Sequence, residues 1–307
     1  MAKRVGFMFA GQGAQRVGMG RDLAEQSAGA RALFEMADTV LGRELSTLCF
    51  DGPLEALTES ATCQPAIYTM SLACVAALRE QVELEPVACG GLSLGEFGAL
   101  TTAGALEFSQ GLKLVATRGA LMGEACRASD GAMAAVLNAE LELVQQLCTE
   151  NSIDVANLNC PGQIVISGEK AGVEKTVEGL SAAGVARIIM LQVDGAFHSR
   201  LMAPAAEAFA GVLAETPFAV PGCAVAQNAV GELVSDPDAI RDNLRRQVTG
   251  SVRWEDCVRA MMGTGIEALI EFGPGKVLSG FMRRIDRRFP TYNVANAEDV
   301  AAVVAAL

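Results

Sequence analysis

The chain reads as an α/β protein, with a parallel-sheet main domain into which a smaller ferredoxin-like unit is inserted. Three observations lead there. Two apolar runs of strand length, residues 5–10 and 86–89, each end in a glycine-rich turn that opens toward a helical pattern, as strands do in folds that alternate strand and helix. Residues 131–193 carry strand and helix signals in the order βαββαβ, the order of a ferredoxin-like subdomain. Hydrophobic residues make up 51% of the chain and glycine contributes 32 positions, which suits a large core with close helix–sheet packing. A length of 307 residues holds one large domain with an insertion, or two domains. The insertion is placed at residues 129–197, with 1–128 and 198–307 forming the main domain.

Taken in order, the first strand runs into Gly11-Gln12-Gly13-Ala14-Gln15-Arg16-Val17-Gly18. A dinucleotide fingerprint needs Gly-x-Gly-x-x-Gly and an acidic residue about 20 positions on. Here the third glycine is displaced and Asp38 lies within a helical pattern, so nucleotide binding is rejected. Such a loop can instead lend a backbone N–H to an oxyanion. Helical periodicity follows at 31–41, at 53–59 with Pro53 in the first turn, and at 64–81 with Thr62 as its cap. A long helix is expected at 109–127 and carries Arg118 among Leu112, Leu114, Val115, Leu121 and Met122. An arginine on a helix usually faces solvent, and periodicity does not fix its role. In the inserted unit, strands are expected at 131–137, 153–159, 164–167 and 186–193, with helices at 140–149 and 170–183. Beyond it come helices near 199–214 and 237–247 and strands near 224–227 and 268–272.

The chemistry concentrates at Gly91-Leu92-Ser93-Leu94-Gly95. A Gly-x-Ser-x-Gly turn between strand and helix lifts the serine hydroxyl off the sheet, and its flanking glycines spare a Cβ clash. Neighbouring N–H groups at the helix N-terminus then face a developing oxyanion. A glycine-rich strand–helix loop is the plainer reading of the same five residues. A serine nucleophile needs a base, and the chain has one histidine, His198. A lone histidine is more often structural. This one follows a strand-like run at a domain boundary, where α/β folds place clefts. Asp194, four residues before it, is a candidate to orient the ring.

Composition removes other classes. A net charge of −12 argues against a general nucleic-acid binder. No run approaches the ~18 apolar residues of a membrane span, and the apolar stretch at 5–10 is too short for a signal peptide. Nine cysteines without a Cys-x-x-Cys pair fit reduced thiols in a cytosol-like compartment. They also leave few zinc ligands.

With these pieces placed, the chain resembles the malonyl-coenzyme A:acyl carrier protein transacylases of type II fatty acid synthesis over essentially its full length. That family is akin to the acyltransferase domains of polyketide synthases. The matching stretches are Gly11-Gln12-Gly13-Ala14-Gln15, the Ser93 elbow, Thr117-Arg118-Gly119-Ala120-Leu121-Met122 and Asn159-Cys160-Pro161-Gly162-Gln163. They continue through Gly195-Ala196-Phe197-His198, Arg246-Gln247-Val248 to Trp254, and Phe272-Gly273-Pro274-Gly275-Lys276. The resemblance implies a hydrolase-like main domain, Ser93 as nucleophile, His198 as base and an oxyanion hole from the backbone N–H groups of Gln12 and Leu94. It implies that Arg118 takes the malonyl carboxylate and that the Gln247 main-chain carbonyl orients the histidine, without requiring Asp194. It further implies that Phe197 goes with malonyl rather than methylmalonyl selection. Leu92 departs from the histidine usual before the serine.

The implied reaction carries malonyl from malonyl-CoA to the phosphopantetheine thiol of an acidic acyl carrier protein, through malonyl-Ser93, with no metal or bound cofactor. An acidic partner asks for a local basic patch. Lys276 with Arg283, Arg284, Arg287 and Arg288 is the densest candidate, and a solvated helix end with dipole-complementing cations is the alternative. Three rival functions share the pattern: a polyketide-pathway acyltransferase, a serine thioesterase or hydrolase, and a non-catalytic carrier-binding module.

Overall fold

The computed structural model describes residues 3–307. Ten strands are assigned among them: β1 (Val5–Phe9), β2 (Ala88–Gly91), β3 (Gly131–Leu137), β4 (Asp154–Cys160), β5 (Gln163–Glu169), β6 (Arg187–Met190), β7 (Ala224–Gln227), β8 (Glu232–Val234), β9 (Ala268–Phe272) and β10 (Thr291–Val294). Six make the main sheet, in the order β10-β9-β1-β2-β7-β8. All its pairs are parallel except β7 with β8. The strands of its centre are buried on both faces, which is why they read as continuous apolar runs rather than alternating ones. Along β1, Phe7 and Phe9 enter the larger core while Met8 points to the smaller one around Trp254.

The helix Ser60–Arg79 lies in the larger core with only a few of its residues reaching the surface. By length and hydropathy it could cross a membrane, but 89% of its apolar window is buried inside the protein, so it is a core helix. It begins four residues before the sequence-based start at 64, and Glu59 rather than Thr62 is the N-cap residue. Pro65 lies inside this helix, one turn beyond its start. The proline removes one intrahelical donor, and Arg43 Nη2 donates to the Ala61 carbonyl at 2.7 Å instead.

The second sheet, β4-β5-β3-β6, is antiparallel throughout. With the helices Leu141–Glu150 and Lys170–Ala182 it has the strand order of a ferredoxin-like unit, within the segment read as an insertion. Its last strand is shorter than the expected 186–193, ending at Met190. Residues 191–199 are irregular and carry His198 back to the main sheet.

The turn between β2 and the helix Gly95–Thr102 is set by steric exclusion. A Cβ on Gly91 would overlap the backbone of Gly95, and one on Gly95 would lie 2.9 Å from the Ala10 carbonyl. Gly95→Ala should therefore push the helix off β1 and lower stability by about 1–3 kcal/mol. Denaturant unfolding of the variant measures this, and an unchanged midpoint would contradict the close approach.

Candidate active site

The C-terminal ends of three adjacent strands, β1, β2 and β7, converge on one cleft. Clefts of open α/β sheets form at such ends. β1 delivers the glycine loop, β2 delivers Ser93, and Asn228 follows β7 directly. The cavity they open has a volume of about 250 Å³, with Gln12, Ser93, Arg118, Asn159, Phe197 and His198 in its walls.

Ser93 stands at φ 53° and His198 at φ 56°, both in the left-handed region that non-glycine residues enter at a cost of about 1–3 kcal/mol. Surrounding bonds hold each in place. The Ser93 N–H donates to Asn228 Oδ1 at 2.7 Å, and Asn228 Nδ2 donates to the Gly91 carbonyl at 2.9 Å. Asn228 thus clamps the elbow from β7. Ser93 Oγ lies 2.7 Å from His198 Nε2, and His198 Nδ1 lies 2.8 Å from the Gln247 carbonyl. A carbonyl only accepts, so the ring proton sits on Nδ1 and Nε2 is free to accept from the serine. Burial pushes His198 down to about 4, helped by the Arg118 charge and opposed by the bonds to Gln247 and Gly250. The imidazole is therefore neutral near pH 7, with Nε2 unprotonated.

Arg118 is not a solvent-facing helix residue. It is 1% exposed and reaches the serine: Nη2 donates to Ser93 Oγ at 3.0 Å and to Gln247 Oε1 at 2.9 Å, while Nη1 donates to Gln64 Oε1 at 2.8 Å. Its Nε has no acceptor. The guanidinium also lies 5.9 Å from the Phe97 ring centre. Burial lowers its pKa to about 10 against the opposing charge of Glu96, which leaves it cationic. The backbone N–H groups of Gln12 and Leu94 donate to no acceptor among the described residues. They flank the serine at the head of the Gly95–Thr102 helix and at the loop after β1.

The site brings together Ser93, His198, Arg118, Gln247, Phe197, Gln12 and Leu94. Asp194 also lines the cavity, but it is exposed and makes no hydrogen bond to His198; the Gln247 carbonyl occupies Nδ1 instead. In the basic patch, Arg284 is engaged, donating to Asn138 Oδ1 at 2.8 Å across to the small sheet. Three polar residues escaped sequence reading. Gln64 holds Arg118, Asn228 clamps the elbow, and Glu96 receives Gln227, Asn228 and Gln247. Their one sequence signal is a polar side chain inside an otherwise apolar stretch.

A neutral histidine against a serine hydroxyl, unpaired N–H groups beside it and a cation 3.0 Å from the oxygen are the groups that serine acyl transfer uses. The profile of the acyl transferase domain matches residues 6–303, and the chain belongs to the acyl transferase family. It is 39% identical to the malonyl CoA-acyl carrier protein transacylase of Bacillus subtilis, over 99% of this chain and 97% of that protein. It is 37% identical to the protein of that name from Escherichia coli, over 98% of both. The fold matches MCAT from Streptococcus pneumoniae with a TM-score of 0.95 at 39% identity, covering 99% of this chain and 100% of that one. It also matches, at TM-score 0.95 and 34% identity over 99% of this chain and 100% of that one, a malonyl-transacylase in complex with its type II polyketide synthase acyl-carrier protein.

The depressed histidine pKa fixes a pH dependence. Proton transfer from Ser93 needs unprotonated Nε2, so acylation persists wherever His198 is neutral. Labelling of Ser93 by a neutral organophosphonate should stay level from pH 8 down to about 5 and fall only toward about 4. A fall centred near the ordinary histidine value would contradict the buried ring.

Proposed function

We propose that this acyltransferase carries malonyl from malonyl-CoA to the phosphopantetheine thiol of an acyl carrier protein, by a two-step exchange through malonyl-Ser93. One observation carries the reading: a buried, incompletely paired Arg118 guanidinium stands 3.0 Å from the candidate nucleophile. A cation so placed selects an acyl group that ends in an anion, and a planar guanidinium matches a carboxylate's two oxygens. The names of the relatives agree with it.

In the first step Ser93 Oγ attacks the thioester carbonyl carbon while its proton passes to His198 Nε2. The oxyanion settles against the N–H groups of Gln12 and Leu94. His198 returns the proton to the departing CoA sulfur. In the second step His198 takes the proton of the carrier thiol, whose sulfur attacks the malonyl ester, and gives that proton to Ser93 Oγ as the serine leaves. The chain's own side chains and backbone supply each group these steps use. Phe197, 8% exposed and in the cavity wall, crowds the α-carbon of the acyl chain and disfavours a methyl branch by about 1–3 kcal/mol. Of the basic residues, Lys276, Arg283, Arg287 and Arg288 are exposed and remain free to meet an acidic carrier. A cytoplasmic setting, which keeps thiols reduced, suits the nine free cysteines.

Mixing the protein with malonyl-CoA and a holo-carrier should give a malonyl mass increment on the carrier and a transient one on the enzyme, absent in Ser93→Ala. Free malonate released as fast as CoA would instead make the protein a hydrolase. Arg118→Ala removes one member of a buried charge pair, a loss of about 3–5 kcal/mol. Malonyl transfer should collapse while acetyl transfer, with no carboxylate to lose, is spared. Equal loss of kcat/KM for both acyl donors would make Arg118 structural. Charge reversal at Arg283 and Arg287 should raise KM for the carrier and flatten its salt dependence. An unchanged KM would move docking elsewhere.

A further inference from the structure

Arg118 is a buried cation that no carboxylate touches among the described residues. Its contacts at Gln64, Gln247 and Ser93 are all neutral, and a buried charge without compensation is costly. One buried carboxylate bears on it. Glu96, 0% exposed, stands a single amide away: Gln247 Oε1 accepts from Arg118, and Gln247 Nε2 donates to Glu96 Oε2 at 3.1 Å. Two more donors converge on the same carboxylate, the Asn228 N–H at 2.7 Å and Gln227 Nε2 at 3.0 Å. All three partners donate, an arrangement that receives a carboxylate and offers no acceptor to a carboxyl proton.

We propose that Glu96 is the resident counter-charge of Arg118 and sets how tightly the site holds the acyl group's carboxylate. This rests on the malonyl-transfer reading. A carboxylate arriving at Arg118 meets a guanidinium already partly compensated, with a second negative charge one amide behind it. Glu96 thus loosens the grip on the bound malonyl group. An enzyme that must pass this group from one thiol to another is slowed by a ground state held too tightly. Glu96 touches neither Ser93 Oγ nor the cavity wall, so it is a positioning residue acting through Gln247. A purely structural role, tying the elbow helix to β7, would affect all acyl donors alike.

Burial pushes the Glu96 carboxyl up to about 7, against the pull of Asn228, Gln247, Gln227 and the Arg118 charge. The other titratable group that bears on it is the Cys257 thiol, which burial keeps protonated. Glu96 is charged above about 7 and neutral below, so the counter-charge fades as pH falls through that value.

The test compares KM and kcat for malonyl-CoA and acetyl-CoA in wild type and Glu96→Gln, whose side chain has nearly the same shape. For the variant at about pH 8, KM for malonyl-CoA should fall roughly 5- to 10-fold, as expected for removing a charge at such a distance. KM for acetyl-CoA should hold. In wild type, KM for malonyl-CoA should fall between about pH 8.5 and about pH 6, and the variant should lack this slope. A variant KM for malonyl-CoA that is unchanged or raised overturns the proposal, as does equal loss of kcat/KM for both donors. Should Glu96→Gln fail to fold, the wild-type series decides alone, and a level KM across that pH range overturns it. Wild type that transfers no malonyl would remove the functional reading and this inference with it.

Discussion

A backbone carbonyl can accept a hydrogen bond but never donate one, and that asymmetry at Gln247 organises the site. Its carbonyl, 2.8 Å from His198 Nδ1, fixes the ring proton there and leaves Nε2 facing Ser93. An aspartate in that place would add a negative charge and raise the ring's pKa. The neutral carbonyl instead lets burial and Arg118 hold the imidazole in its basic form. The side chain of the same residue supports the other half of the site, accepting from Arg118 and donating to the Ser93 carbonyl at 3.0 Å. The histidine ring and the Arg118 guanidinium therefore share one support, and a shift of the Pro237–Gln247 helix would disturb both.

The second constraint is the cost of placing charges where water is absent. Arg118 keeps its charge because its environment is polar on several sides, with Phe97 presenting a ring face to the guanidinium. Polar side chains from the Ser60–Arg79 and Pro237–Gln247 helices and the β2–helix turn meet at this point, so the cation is also a fastener between elements. The strained backbones of Ser93 and His198 are held by the same meeting of elements. Asn228, following β7, fastens the backbone around Ser93, and the Gln247 carbonyl fastens the His198 ring.

The sequence revealed those parts of the site that local rules require. The Ser93 elbow was legible because the turn excludes side chains at Gly91 and Gly95, and His198 because the chain has no other histidine. The βαββαβ order of the inserted unit could be read from its alternating signals. Parts that depend on tertiary pairing could not. Helical spacing placed Arg118 on a helix without saying that it is buried. Asp194 was close to His198 in sequence, but it is exposed. Gln64, Glu96 and Asn228 are ordinary polar residues until three chain segments meet. Arg284 looked like part of a free patch and is bound to Asn138. The short strands β8 and β10 and the helix Ala297–Ala306 carry patterns too brief or too uniform in alanine to separate from their surroundings.

Because His198 is the chain's one histidine, its protonation can be read without assignment. In protein carrying ¹⁵N-labelled histidine, the two ring nitrogens report tautomer and charge directly. A single neutral ring is expected at pH 7, with the proton on Nδ1 and a bare Nε2, persisting until the pH nears about 4. A proton on Nε2, or an imidazolium at pH 7, would contradict it.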